Sequence, residues 1–135
     1  MQSAIAAAAA ARAYSTPGIL LMEGDTLMRG LLSEWLTSAG YAVLEGPSRP
    51  GASTHDADVV IVDLYMPREA GARIIRAVQR SHPGVPIIAI SGQFRAGLTA
   101  TSPVARMLGA ARILAKPFSR EDLLAAVRAL VGPPR

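Results

Sequence analysis

Five short apolar runs, four of them followed by a stretch of helical periodicity, constrain this chain more than any other feature. Val59-Val60-Ile61-Val62 is β-branched throughout, which suits a pleated, buried strand, and it ends in Asp63. Ile19-Leu20-Leu21-Met22 and Pro86-Ile87-Ile88-Ala89-Ile90 are continuous apolar runs, and these predict strands covered on both faces. Tyr41-Ala42-Val43-Leu44 and Arg112-Ile113-Leu114 are shorter candidates of the same kind.

Between them the period changes from two to 3.6. Asp25 or Thr26 can cap a helix whose apolar positions are Met28, Leu31, Leu32, Trp35 and Leu36, and Gly40 stops it. Residues 71–81 predict a second amphipathic helix, with Ile74, Ile75 and Val78 inward and Arg73, Arg76 and Arg80 outward. That basic stripe reads first as a solvated face. A short helix is expected over 101–108. A last one is opened by Ser119, with Asp122 three residues on in the spacing of a capping box, and Gly132-Pro133 closes it. Its apolar face is Leu123, Leu124, Val127, Leu130 and Val131. Residues 46–57 hold Pro47, Pro50 and Gly51, so a loop or a single turn is expected where a helix would complete the alternation.

Strand–helix alternation predicts an α/β fold, a doubly wound five-stranded parallel sheet with helices on both faces and the second helix shortened or absent. At 135 residues there is room for one core. Residues 1–16 are expected to be an alanine-rich N-terminal tail, and 17–132 the folded domain. A cleaved secretory signal is the rival reading of the tail. No basic residue precedes its apolar stretch, and that stretch is alanine rather than leucine, so a frayed alanine helix is favoured.

Composition removes several classes. There is no cysteine, hence no disulfide scaffold, thiolate metal site or cysteine nucleophile. The apolar block at 4–11 is far short of the roughly 20 residues that span a bilayer, so no membrane partner is expected. The net charge is +4, with thirteen of the fourteen basic residues arginine. Scattered arginines with 4% aromatics do not make a nucleic-acid surface, and no nucleic-acid partner is expected. His55 and His82 are far apart, which argues against a histidine-rich metal site.

In open α/β sheets ligands bind beyond the carboxyl ends of the strands. The first strand delivers Glu23, Gly24 and Asp25 there, the third Asp63, the fourth Ser91, and the last leads to Lys116, the only lysine. A single glycine after the first strand does not form a dinucleotide-binding fingerprint, so an enzyme or nucleotide-binding reading rests on fold class alone.

Asp63-Leu64-Tyr65-Met66-Pro67 with Gly71 four residues later, Ile90-Ser91-Gly92, and Gly109-Ala110 through Ala115-Lys116-Pro117-Phe118 together resemble the receiver domains of two-component response regulators, over about residues 18–132. The resemblance implies a flavodoxin-like receiver fold. It implies that Asp63 is the phosphoacceptor for a phosphohistidine on a sensor histidine kinase or phosphotransfer protein. Ser91 would be the hydroxyl at the phosphoryl group and Lys116 the ammonium paired with it. It also implies a Mg2+ ion held by Glu23, Asp63 and the backbone carbonyl of Tyr65. Such a protein is expected to be cytoplasmic and a signalling module, not an enzyme.

The chain departs from that family at three places. Gly24 falls where the acid that directly holds Mg2+ is usual, so weak Mg2+ binding is expected. Asp25, one residue on, is the alternative carboxylate or else the cap of the following helix. Ile113 replaces the usual aromatic and, stiff at its first torsion, can pack inward permanently. The second helix is missing. No output domain is read after Val131, so the expectation is a stand-alone receiver signalling to an unknown downstream protein. A homodimer through the fourth helix, last strand and last helix of that fold is open to it. The competing expectation is a degenerate receiver acting as a phosphorylation-independent interaction module.

Overall fold

The computed structural model describes residues 16–45, 57–64, 68–92 and 103–134. The elements run β1 (Gly18–Met22), α1 (Thr26–Ser38), β2 (Ala42–Glu45), β3 (Val59–Asp63), α2 (Arg68–Ser81), β4 (Ile87–Ser91), α3 (Pro103–Leu108), β5 (Arg112–Ala115) and α4 (Arg120–Val131). The five strands form one sheet in the order β2-β1-β3-β4-β5, and every neighbouring pair is parallel. The expected tail and the expected loop at 46–57 lie outside the described residues but for Thr16 and Ala57.

Each central strand divides its side chains between two cores with period two. Ile19, Leu21, Val59, Ile61, Ile88 and Ile90 face one cluster, closed by Leu32 and Leu36 of α1 and by Leu123, Leu124 and Val127 of α4. Leu20, Val60, Val62, Ile87 and Ala89 face the other, closed by Ile75 and Val78 of α2 and Leu108 of α3. This double coverage is why these runs contain no polar position. β2 is an edge strand: Val43 packs on the first cluster while Leu44 stays 38% exposed.

Two residues expected to face inward do not. Leu31 and Ile74 are 41% and 38% exposed. Each directly precedes a fully buried residue, Leu32 or Ile75, and lies about 100° round the helix from it. In both helices the buried stripe is narrower than the apolar pattern. α2 also begins at Arg68, three residues before the expected start.

The helix ends follow their local chemistry. Asp25 is the N-cap of α1, accepting from the backbone N–H of Leu27 (2.9 Å) and Met28 (3.2 Å). Past the C-cap, Gly40 takes φ +103°, and the Tyr41 N–H donates back to the Leu36 carbonyl. Ser119 and Asp122 form the reciprocal capping box of α4, at 3.0 and 3.2 Å. The end of α4 is tied to the beginning of β2. The Tyr41 hydroxyl donates to the Gly132 carbonyl at 2.8 Å, and a Cβ on Gly40 would sit 3.0 Å from the ring of Pro134.

Candidate functional site

Strand register builds the site. Met22 pairs with Val62 and Asp63 with Ile90, so Glu23 and Asp63 emerge side by side at the carboxyl ends of β1 and β3. Ser91 pairs with Ala115, and the Lys116 N–H donates to the Ser91 carbonyl at 3.0 Å. The residue after β5 is thereby fixed against the end of β4. The peptide bond between Lys116 and Pro117 is cis.

From there the Lys116 side chain reaches back across the rim. Its Nζ lies 3.2 Å from Asp63 Oδ1 and 3.2 Å from Glu23 Oε2. The lysine and Asp63 side chains are each 21% exposed, while that of Glu23 is fully buried. Glu23 Oε1 accepts the backbone N–H of Asp25 at 3.1 Å, so both of its oxygens hold N–H donors. Arg29 Nη1 donates to the Glu23 carbonyl at 3.3 Å.

Burial is the main force on the Glu23 carboxyl and pushes its pKa above 4.5. The Asp25 N–H and Lys116 oppose the shift, and the neighbouring Asp63 carboxylate adds to it. At Lys116 burial favours the neutral amine but is outweighed by the Asp63 and Glu23 charges, so its pKa rises above 10.5. The group is therefore an ammonium at neutral pH. Chemically, the rim offers a half-buried carboxylate with a fixed cation at hydrogen-bonding distance. That is an arrangement able to receive an electrophile and neutralise charge growing on it.

Sequence reasoning named Glu23, Asp63 and Lys116, and the structure brings these three into direct contact. Ser91 is fully buried at the end of β4, beside Asp63's strand. Asp25 caps α1. Tyr65 lies outside the described residues. Arg29 was missed. Its only signal was a basic residue one turn into the helix that follows the acidic pair. Ile113 is buried in the second cluster at 3% exposure. Among the described residues no three acidic, histidine or cysteine side chains come together as a metal site, and no helix is long and apolar enough to cross a membrane.

Comparison with known proteins identifies the domain that carries this rim. The model of the response regulator receiver domain matches residues 19–128. The chain is 35% identical over 120 residues to the DNA-binding transcriptional regulator NtrC of Bradyrhizobium sp. (strain RP501 Parasponia), covering 85% of this chain and 24% of that protein. It is 36% identical over 115 residues to the regulatory protein VirG of Agrobacterium tumefaciens (strain 15955), covering 82% of this chain and 42% of VirG. The chain thus spans less than half the length of either relative. Among solved structures, CheY in the CheX-CheY-BeF3-Mg+2 complex from Borrelia burgdorferi superposes with a TM-score of 0.66 at 18% identity, over 84% of this chain and 87% of that one. With the parallel sheet in its 2-1-3-4-5 order and the acid–lysine rim in place, the chain belongs to the response regulator receiver domain family of two-component systems.

Proposed function

We propose that Asp63 is the phosphoacceptor of this receiver and that residues 17–132 are its working unit. The observation that carries the reading is the 3.2 Å contact between Asp63 Oδ1 and Lys116 Nζ at the carboxyl end of the central strand. An Asp63 carboxylate oxygen attacks the phosphorus of a phosphohistidine on a sensor histidine kinase or phosphotransfer protein. The new P–O bond forms as the P–N bond breaks, and that bond's electron pair stays with the imidazole. Phosphoryl transfer gains mainly from positioning and from cancelling charge on the moving oxygens. Lys116 supplies that charge from a fixed place, and the Ser91 hydroxyl is the expected donor to a phosphoryl oxygen.

Receiver domains are signalling modules, and they generally bind Mg2+ at an acidic pocket; CheY in the Borrelia complex is accompanied by BeF3 and Mg2+. Here the pocket lacks the acid at Gly24, so binding is too weak to saturate at millimolar magnesium. The output is a contact with a downstream protein, for which α3, β5 and α4 form the usual face. The protein acts in the cytoplasm.

Incubation with acetyl phosphate followed by intact mass measurement tests the assignment. A phosphate-sized gain that disappears in Asp63→Asn is the expected result. No gain, with magnesium or with EDTA, supports the second reading, a phosphorylation-independent interaction module. Two observations favour that reading: no side chain at Gly24, and Ile113 already buried where a mobile aromatic is usual.

A further inference from the structure

We infer that the Lys116 ammonium is the resident counter-ion of the Glu23–Asp63 pair, and that this receiver holds its acceptor pocket together without a divalent metal. The inference concerns the same pocket but does not depend on phosphorylation of Asp63.

Two carboxylates at neighbouring strand ends repel each other, and a cation between them relieves that repulsion. Here one ammonium stands 3.2 Å from an oxygen of each. A divalent ion sharing the pair would need those same two carboxylates at about 2.0–2.1 Å if it were magnesium. The Glu23 oxygens are both engaged, one by the Asp25 N–H and one by Lys116. The next carboxylate along the chain, Asp25, holds two backbone N–H groups at the start of α1. What remains for a metal among the described side chains is a share of Asp63. Magnesium parts reluctantly with its water and is a poor competitor for so little.

The residue that decides this is Gly24. An acid there would add an anionic oxygen that neither Lys116 nor the α1 cap already holds. Nothing in the fold forbids one: a Cβ built on Gly24 meets no atom within 4 Å. The pocket is therefore short of one functional group and is not sterically closed. Lys116 does the bridging that would otherwise fall to the ion.

Calorimetric titration with MgCl2, together with thermal unfolding in EDTA and in magnesium, tests this on the full chain. The wild-type protein should show no saturable binding at millimolar magnesium and the same unfolding midpoint in both buffers. Gly24→Asp should bind magnesium at least about tenfold more tightly, the scale on which one partner of a metal site counts. Lys116→Met should unfold several degrees lower in EDTA and recover part of the loss when magnesium is added. Should Lys116→Met fail to fold, Gly24→Asp still decides the matter. Saturable millimolar binding by the wild type, or no gain in Gly24→Asp, overturns the inference. Neither readout involves phosphoryl transfer, so a failure here is separable from a failure of the Asp63 assignment.

Discussion

At Lys116 and Tyr41, single side chains set how the protein responds to alkali. Burial alone would lower the Lys116 pKa, but the Asp63 and Glu23 charges win and raise it. Burial raises that of Tyr41, against the opposing charge and hydrogen bond of Arg128. In both cases the folded chain keeps a proton at a pH where the unfolded chain has released it. The resulting stability is complete below about pH 10, from the ordinary values of 10.0 and 10.5, and is lost as pH rises through the folded values. Urea midpoints measured from pH 9 upward should therefore fall, and Tyr41→Phe and Lys116→Met should each flatten the fall. The rim chemistry was largely legible in the sequence because a lone lysine and strand-end acids are visible as letters. Which of two roles Asp25 takes was not legible, since a cap and a ligand need the same carboxylate at the same spacing. Only the backbone N–H groups of Leu27 and Met28 decide it.

Elements were legible where local chemistry is self-contained. The Ser119–Asp122 capping box is spelled in four residues, and it forms. Removing it with Ser119→Ala should cost about 1 kcal/mol, read as a lower urea midpoint with an unchanged slope. The limit of sequence reading appears at Leu31 and Ile74. Apolar spacing says that a helix has a face, but the width of the stripe actually covered depends on what packs against it. α1 and α2 are each received by a sheet that buries Leu32 and Ile75 at the centre of the contact and leaves the residue before each at its margin.

For the molecule as a whole, stability is concentrated in the sheet and its two cores. Ile61 is fully buried in the strand at the centre of the sheet, so Ile61→Ala should cost about 2–5 kcal/mol. Ile74→Ala, at the margin of the opposite layer, should cost about 1 kcal/mol or less. Chemical denaturation of the two variants side by side checks that difference, and equal losses would mean that Ile74 is a core residue after all. The alternation of strands and helices made this architecture readable in advance. The long-range clasp between Tyr41 and Gly132 was not, because nothing in either local sequence refers to the other. That clasp has a practical bearing on anyone who attaches something to this protein. Gly132 and Pro134, just after the last helix, serve as a foundation stone under the first helix–strand turn. A tag or reporter joined at the carboxyl side should start after Pro134 and carry a pliant spacer, so that Gly132 and Pro134 stay seated.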